Sequence, residues 1–567
     1  MILGLNPCIS GLNYHDPCAC LVDAGRLLIA CEEERYIGRK SAPGVFPARS
    51  VQECLQFAGI SIRQLDGIAI GYSPEAAHGR LDLVRQVNGC RSASATFSSF
   101  EAPASDVSGA SAAIKGILGI ESQSIPIHFV EHHLAHAASC LLPTTFSEGI
   151  GVVWDGVGEI DCSSIWLLKG GRIERLKTQT LPNSLGYLYA ALTDYLGFEA
   201  FEGEGKTMAL APYGVANSVL ERAAQNLLAW DGEQYDCRKF ISKCLLDDGM
   251  LDLIASKRVL RRYLGTPARK PGEPLNNFHR GVAAAIQGRL ENVAAAYVAS
   301  TIRSSGVRYV GLAGGVALNC KVNGVIRSLP EVQRLYVPPF PADAGTAIGA
   351  AWLIDYEMRG TRPVPLESST IGPISASLAP KAASTEGVIN DKVARTLSDG
   401  AIVMWFAGRS EVGPRALGAR SILADPSKAS TAHRLNKLVK GREAWRPFGA
   451  SILEEFGPEV ILGLEKTEGA VLMGQTYAVA DVWRDKVPGV VHPVDGSTRP
   501  QLVSRRTQPR YWDLITRFKG YTGIPMLVNT SLNAKGQPLI KDLEDCEKLF
   551  RSSAADLLVA DGVLIQK

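Results

Sequence analysis

The start of the chain contains short apolar runs separated by polar and turn-forming positions. The runs ILGL and CLV are followed by Asp23, Ala24 and Gly25, and then by the run LLIAC. Two apolar runs joined by a short turn that contains glycine are typical of a β-hairpin. The pattern therefore predicts a strand followed by a hairpin at the beginning of the chain.

The same plan returns further along the chain. The run GIGVVW precedes Asp155, and a second apolar strand is then joined to a return strand through Gly170 and Gly171. In each copy an acidic residue, Asp16 or Asp155, lies just after an apolar strand. A unit repeated at a spacing of roughly 140 residues predicts an internal duplication, and hence a two-lobed molecule with a cleft between the lobes.

Helices are predicted between and after these strands. One helix is expected to end at Gly59, one to be stopped by Pro143, and a long alanine-rich helix to cover roughly residues 282–303. Strands and helices then alternate as far as the segment AGTAIGAAWLIDYEM. Alternation of this kind indicates an α/β fold with layered helices and strands.

A change of composition divides the chain into two domains. Residues 360–386 contain four prolines, many serines and threonines and no clear periodicity, which are features of a linker. We therefore predict a two-lobed N-terminal domain over residues 1–359 and a separate α/β domain over residues 387–567.

Composition excludes several classes of protein. The 60 Lys and Arg nearly balance the 57 Asp and Glu, for a net charge of +3 in 567 residues, so a strongly polybasic nucleic-acid-binding protein is not expected. No apolar run approaches the ~20 residues that cross a bilayer, and the N-terminus lacks the features of a signal peptide. We expect a cytoplasmic protein with neither nucleic-acid nor membrane partners, whose scattered cysteines are reduced core residues.

Four of the nine histidines lie between positions 128 and 136. On a helix, His132 and His136 would share one face and could bind one divalent metal, such as iron or zinc, whereas His133 would point about 100° away. Asp343 is the best candidate for a third ligand. The alternative is a pair of surface or core histidines without a metal.

Glycine-rich turns supply candidate phosphate or ribose sites. They are the segments Asp155–Glu159, Leu312–Asn319 and Glu202–Gly214, the last of which contains Lys206. Small residues at a strand end let backbone N–H groups approach phosphates, although tight packing explains them equally well. A Walker A motif is excluded, because it requires glycine at position 200, which is alanine.

The C-terminal domain has a basic cluster between positions 409 and 446. Guanidinium groups can grip a phosphoryl group with two parallel hydrogen bonds, and glycine and proline between them are typical of a pocket-lining loop. The alternative is a set of solvated surface ion pairs. Asn529 and Ser531 follow the apolar run IPMLV, where polar side chains often meet a ligand.

Taken in order, several motifs resemble the O-carbamoyltransferase family of antibiotic and nodulation-factor biosynthesis. They are HHLAH, DGVGE, GEGKTMALAPYG, GGVALN, FPADAGTAIGA, GPRALGARSIL, KGREAWRPF and NTSLNAKGQP. The resemblance implies a duplicated actin-like (ribonuclease-H-like) N-terminal domain and a YrdC-like C-terminal domain. It also implies an enzyme that makes carbamoyl adenylate from carbamoyl phosphate and ATP, and transfers the carbamoyl group to a hydroxyl of a secondary metabolite.

The resemblance further implies roles for individual residues and cofactors. Fe²⁺ or another divalent metal is expected on His132, His136 and Asp343, and Mg²⁺ with ATP. Catalytic roles are expected for His15, Arg415, Lys440 and Arg446. Contacts with substrate and nucleotide are expected for Asp155, Glu159, Lys206, Asn319, Arg499, Asn529 and Ser531. The segments REAWRPFGA and NTSLN depart from the family's usual REGFRPFAP and NTSFN, which affects the shape of the pocket more than the type of reaction.

His15 is interpreted as a neutral imidazole that takes the proton of the acceptor hydroxyl, or alternatively as a residue that only orders the NYHDP turn. Other activities stay open: threonylcarbamoyl transfer to tRNA, or a small-molecule kinase using the actin-like cleft. A metallopeptidase is disfavoured because the HExxH glutamate is missing. The acceptor is not identified; loops 40–47, 74–108 and 255–275 are expected to form its wall. A homodimer is possible.

Overall fold

The first lobe is built on one sheet. The computed structural model describes residues 1–9, 12–77, 106–375 and 383–567, together with positions 80, 83, 84 and 86. The strands of this lobe are β1 (Ile2–Asn6), β2 (Cys18–Asp23), β3 (Arg26–Glu32), β4 (Gly67–Ile70) and β5 (Ile127–Phe129). Their order is β3-β2-β1-β4-β5, with β1 antiparallel to β2 and parallel to β4. The predicted strand and hairpin are confirmed.

The second lobe repeats this sheet. Its segment of chain contains β6 (Glu148–Trp154), β7 (Asp161–Lys169), β8 (Arg172–Thr180), β9 (Ala229–Trp230), β10 (Tyr235–Asp236), β11 (Tyr309–Ala313) and β12 (Arg334–Tyr336). The sheet order, β12-β11-β6-β7-β8, is the first order with β6 in the place of β1. The strand directions also match, since β6 is antiparallel to β7 and parallel to β11. The predicted duplication is confirmed, and the N-terminal domain has a duplicated actin-like α/β fold.

Helices cover these sheets. Within the described residues they are α1 (Glu34–Ile37), α2 (Ala48–Ala58), α3 (Pro74–Ala77), α4 (Val107–Leu118), α5 (His132–Leu141), α6 (Leu185–Tyr195), α7 (Glu204–Leu210), α8 (Ser218–Leu227), α9 (Arg238–Ile241), α10 (Leu253–Leu264), α11 (Asn277–Ser305), α12 (Cys320–Ser328) and α13 (Ala344–Arg359). The predicted helix end at Gly59 is confirmed, because Gly59 adopts a left-handed conformation there. The expected loop at 255–275 is wrong for 255–264, which belong to α10.

Helices α5 and α13 follow equivalent strands of the two lobes and pack against each other. Their contact face is rich in alanine, including Ala135, Ala138 and Ala347, all of which are buried. A Cβ atom at Gly349 would lie 2.8 Å from the carbonyl carbon of Ala135 and 3.0 Å from the backbone nitrogen of Ser139. These small residues let the two helices approach closely, and this approach brings the starts of both helices together between the lobes.

The C-terminal domain has its own sheet and core. Its strands are β13 (Val403–Phe406), β14 (Arg420–Ala424), β15 (Gly449–Leu453), β16 (Tyr477–Ala478), β17 (Ser497–Thr498), β18 (Pro500–Val503), β19 (Met526–Ser531), β20 (Leu557–Ala560) and β21 (Val563–Ile565). The helices are α14 (Ala383–Ser398), α15 (Ala429–Arg434), α16 (Gly457–Val460), α17 (Asp481–Arg484), α18 (Pro509–Thr522) and α19 (Leu543–Ser552). The mixed sheet has the order β18-β15-β19-β14-β13-β20-β21.

The segment that joins the domains packs against both of them. Residues 360–375 contain no helix or strand. Arg362 donates to the carbonyl of Leu142 at 3.2 Å, and the carbonyl of Gly372 accepts from Arg409 at 2.9 Å. Helix α14 begins at Ala383, so the last part of the predicted linker is helical, while 376–382 lie outside the described residues. Among the helices of the described chain, none is long and apolar enough to cross a membrane.

Candidate functional site

Four side chains meet where the two lobes face each other. His132 and His136 lie on one face of α5, Asp343 directly precedes α13, and Asp155 follows β6. The Nε2 atoms of the histidines are 3.1 Å apart, and Oδ2 of Asp155 lies 3.1 Å from His132 and 3.3 Å from His136. Oδ1 of Asp343 is 3.5 and 3.6 Å from the same two nitrogens. We call His132, His136, Asp155 and Asp343 the donor cluster.

The donor cluster fits a divalent metal. One donor atom from each of the four buried side chains lies within 4.8 Å of all the others, and a set of two imidazoles and two carboxylates suits iron, zinc or a similar ion. Burial opposes ionisation of Asp343, but His132 and His15 outweigh it and hold the pKa of this carboxyl well below its usual value. The predicted three ligands are therefore brought together, and Asp155, assigned to the nucleotide from the sequence, joins them as a fourth.

The DGVGE turn positions the cluster. Oδ1 of Asp155 accepts from the backbone nitrogen of Gly156 at 2.7 Å and from that of Gly315 at 3.2 Å, which leaves Oδ2 for the histidines. The carboxylate of Glu159 accepts from the backbone nitrogen of His132 at 2.9 Å and from that of Ser73 at 2.7 Å. Glu159 thus caps the N-terminus of α5. In this structure it holds a helix rather than lying open for a nucleotide.

His133 has a different environment from its two neighbours. Its Nδ1 lies 2.8 Å from the hydroxyl of Ser164 on β7. Burial, followed by the neighbouring His132, holds the pKa of His133 well below its ordinary value. This neutral, hydrogen-bonded ring belongs to the packing of α5 on the sheet, as the helical spacing predicts.

His15 lies at the open side of the donor cluster. Its side chain is 44% exposed, its Nδ1 is 3.2 Å from Asp16, and its Nε2 is 3.8 Å from Oδ2 of Asp343. Partial burial opposes protonation, but Asp343 and Asp16 raise the pKa of His15 to about 10. These two carboxylates alone favour the protonated ring, and the neutral imidazole expected from the sequence stays a prediction.

Asn13 is a site residue that the sequence analysis missed. Its side-chain nitrogen donates to Oδ2 of Asp343 and to the side-chain oxygen of Asn6, both at 3.0 Å. Asn13 has a positive φ of 52°, a conformation that asparagine tolerates better than most residues. Its place in the NYHDP segment, two positions before His15, was the available signal.

Lys206 and Asn319 lie toward the C-terminal domain. The ammonium group of Lys206 is 5.8 Å from the ring centre of Phe198, and burial lowers the pKa of Lys206, with Glu443 opposing and Arg446 adding to the effect. The amide of Asn319 exchanges two hydrogen bonds with Gln287, at 2.9 and 3.1 Å, so its polar atoms are already paired.

Three arginines of the C-terminal domain face the part of the N-terminal domain that contains Lys206 and Asn319. We call Arg415, Arg446 and Arg499 the arginine group. Arg415 donates to the carbonyl of Leu318 at 3.3 Å. Burial, then Arg499 and Arg446, lower the pKa of Arg415 to about 9. Arg446 lies 4.0 Å from Glu443. Across the described chain, no carboxylate lies within ion-pair distance of Arg415 or Arg499, so these two partly buried positive charges lack a counter-ion.

The other predicted residues of the C-terminal domain hold its loops. Lys440 follows a turn of π-helix in the chain. Its ammonium group donates to the carbonyl of Ser531 at 2.8 Å and to the side chain of Asn533 at 2.6 Å. Burial, then Arg442 and Arg446, hold the pKa of Lys440 well below its usual value. The side-chain nitrogen of Asn529 is buried and donates to the carbonyl of Ala416, at 3.1 Å, beside Arg415. Both residues thus shape the arginine-bearing loops.

The junction between the domains carries aromatic contacts as well. The hydroxyl of Tyr213 donates to the carbonyl of Trp445 at 3.2 Å, and the rings of Phe198 and Trp445 are 6.3 Å apart. The predicted acceptor loop 40–47 is described, whereas most of 78–105 lies outside the described residues. Fold and site together describe a protein with a cleft in one domain whose donor cluster could hold a metal, and a cationic junction to a second domain.

Comparison with known proteins identifies the class. The family model described as "Carbamoyltransferase N-terminus" matches residues 8–352, and that described as "Carbamoyltransferase C-terminus" matches residues 394–567. The chain therefore belongs to the carbamoyltransferase family, and the resemblance noted in the sequence is confirmed. This assignment supports carbamoyl transfer as its class of activity.

Individual relatives cover nearly the whole chain. An uncharacterised protein of Synechocystis sp., sll1178, is 32% identical over 98% of this chain and 95% of its own. The nodulation protein NolNO of Sinorhizobium fredii is 32% identical over 98% of this chain and 79% of its own. Among solved structures, HypF of T. kodakarensis is 14% identical with a TM-score of 0.32, covering 64% of this chain and 48% of its own, which is too distant to support an argument.

Proposed function

We propose that the protein is an ATP-dependent O-carbamoyltransferase that uses carbamoyl phosphate and carbamoylates a hydroxyl of a small secondary metabolite. The observation that carries this proposal is the arginine group. The guanidinium groups are partly buried, and those of Arg415 and Arg499 have no carboxylate within ion-pair distance among the described residues, which favours a bound phosphate or phosphoanhydride. The group belongs to the C-terminal domain, yet Arg415 reaches the carbonyl of Leu318 in the N-terminal domain, so its anion would lie near the junction of the two domains.

The first half-reaction is assigned to the C-terminal domain. Carbamoyl phosphate and water give carbamate and inorganic phosphate. A carboxylate oxygen of carbamate then attacks the α-phosphorus of ATP, pyrophosphate leaves, and carbamoyl adenylate forms. The arginine group would stabilise the negative charge on the phosphates during this step, and Mg²⁺ would accompany ATP. Lys440 and Asn529 act by holding the loops around these phosphates.

The second half-reaction is assigned to the cleft between the lobes. The oxygen of the acceptor hydroxyl attacks the carbamoyl carbon, AMP leaves, and the hydroxyl proton passes to His15, which has to be neutral to accept it. The positive charge of a divalent ion on the donor cluster would offset Asp343 and so favour this neutral ring. His15 suits this role by position, since it is the partly exposed residue at the rim of the donor cluster. A divalent ion, for which Fe²⁺ remains the prediction, would be held by the donor cluster and would supply positive charge that neutralises Asp155 and Asp343.

The test is incubation of the purified protein with ATP, Mg²⁺ and carbamoyl phosphate against a panel of hydroxylated acceptors. Transfer is expected to add about 43 Da to one acceptor, the mass of a carbamoyl group replacing hydrogen. Pyrophosphate and AMP are the expected products from ATP. Formation of ADP instead would contradict adenylation and favour a kinase, and omission of carbamoyl phosphate is the control.

A further inference from the structure

A buried ion pair of the first lobe reaches into the C-terminal domain. Arg35 lies on α1, and its side chain is only 3% exposed. Its guanidinium pairs with Glu32 and donates to the carbonyl of Glu411 and, at 2.8 Å, to the carbonyl of Gly413. One side chain of the N-terminal domain therefore binds two backbone groups just before Arg415.

Glu32 completes this contact. Its Oε2 accepts from the backbone nitrogen of Gly413 at 3.1 Å, so both the N–H and the C=O of Gly413 are held by the same ion pair. Gly413 has a φ of +92°, and a Cβ there would lie 2.9 Å from the carbonyl carbon of Pro339. Gly413 thus lies between α1 and the stretch after β12 that leads to Asp343, and only glycine fits there.

The next residues form a closed turn with Arg415 on it. The carboxylate of Glu411 is fully buried and accepts from the backbone nitrogens of Leu417, Ala419 and Arg420 at 2.7, 2.8 and 3.0 Å. These bonds fix the shape of residues 411–420. The clamp by Arg35 and Glu32 fixes where this rigid turn sits on the N-terminal domain.

The stretch of chain that begins with Glu32 and Arg35 also contacts the loop of His15. Downstream of α1, the carbonyl of Ser41 accepts from the backbone nitrogen of Asp16, and the backbone nitrogen of Gly44 donates to the carbonyl of Tyr14, both at 2.8 Å. These bonds flank His15. One short stretch of chain is therefore attached to the loop of Arg415 at one end and to the loop of His15 at the other.

We propose that Arg35 and Glu32 are positioning residues, which set the place of Arg415 relative to the N-terminal domain and act on anion binding through Arg415. This inference rests on the proposed function for its anion, carbamoyl phosphate. A buried ion pair is weak evidence for a contribution to stability, because desolvation offsets much of the attraction. Two ordered backbone contacts next to a ligand-binding arginine are better explained by positioning.

The test is a double-mutant cycle between Arg35→Met and Arg415→Ala, measured as the dissociation constant of carbamoyl phosphate by titration calorimetry on the full chain. Arg35→Met should weaken binding about tenfold in the presence of Arg415 and less than about twofold when Arg415 is already alanine. The matched control is Arg327→Met. Arg327 is also buried and donates across the domain junction, to the carbonyls of Gly463 and Thr476 at 2.7 and 2.9 Å, but it does not touch the loop of Arg415.

Two further measurements distinguish a positioning role of Arg35 from a general loss of stability. Amide hydrogen exchange over residues 411–420 should rise in Arg35→Met and not in Arg327→Met; equal exchange in the two variants would overturn the inference, whatever the activity. Arg35→Lys keeps the positive charge but loses the planar guanidinium that binds several acceptors at once. Its affinity for carbamoyl phosphate should lie between those of wild type and Arg35→Met. Effects of Arg35→Met and Arg415→Ala that simply multiply would also overturn it. Failure of the wild type to release pyrophosphate would instead refute the proposed adenylation.

Discussion

The close contact between α5 and α13 yields a prediction about residues that touch no ligand. Gly349→Ala adds one methyl group where α13 crosses the carbonyl of Ala135, next to His136. In a helix this change should by itself stabilise the protein by about 1 kcal/mol. The structure predicts the opposite outcome, because there is no space for the methyl group at this position.

The size of the effect follows from the contact distances. The new Cβ would overlap the carbonyl oxygen of Ala135 and would lie 2.8 Å from the carbonyl carbon, whereas ordinary contact begins at 3.4 Å. The contact with the carbon alone requires a separation of about 0.6 Å (3.4 − 2.8), and the contact with the oxygen requires a larger one. Overpacking of this kind typically costs about 1–3 kcal/mol. The same shift moves Asp343, which directly precedes α13, away from the two histidines on α5. Metal–ligand distances tolerate changes of only about 0.2 Å, so the metal affinity should fall about 10–100-fold.

The assay is anaerobic loading with Fe²⁺, followed by elemental analysis and competition with a chelator. Wild type is expected to bind one ion per chain. Gly288→Ala is the matched control, because Gly288 lies inside α11 and a Cβ there meets nothing within 4 Å. Circular dichroism checks that both variants keep their helices. A Gly349→Ala protein that binds Fe²⁺ as tightly as wild type would refute the argument that helix approach builds the donor cluster.

Three further predictions concern single side chains. His136→Ala should lose the metal in elemental analysis while the fold persists, whereas His133→Ala should keep it, because His133 faces Ser164. His15→Ala should release pyrophosphate at a near-normal rate but transfer the carbamoyl group about a hundredfold more slowly. Arg415→Ala should lower pyrophosphate release by at least about a hundredfold, since a charge-assisted contact between a guanidinium and a phosphate is worth several kcal/mol. Arg484→Ala, a change in a surface pair, should not lower it.

Each of these predictions has a contradicting result. Equal metal content in the His136→Ala and His133→Ala variants would contradict the assignment of the metal to His136. Undiminished transfer by the His15 variant would leave it a structural residue of its turn, and equal loss of both half-reactions would indicate misfolding. Unchanged pyrophosphate release by the Arg415 variant would move the phosphate site away from the arginine group.

Local patterns in the sequence determined the parts of the fold that depend on neighbouring residues. The repeated strand and hairpin, the helix that starts at His132 and the stop at Gly59 all follow from spacings of a few residues. The pairing of His132 with His136 has the same origin, since one helical turn separates them. For these features the physical cause, backbone hydrogen bonding within one element, lies within the sequence window that shows the pattern.

The tertiary structure decided which of these elements meet. Asp155 joined the donor cluster because its turn is bound by the backbone of Gly315, and Glu159 became the cap of α5. The contact between Arg35 and Glu411 spans 376 positions. No local spacing encodes such contacts, because they depend on how the two lobes and the C-terminal domain pack. Burial and steric fit at the junctions set that packing, and the donors and positive charges take their final places only when it forms.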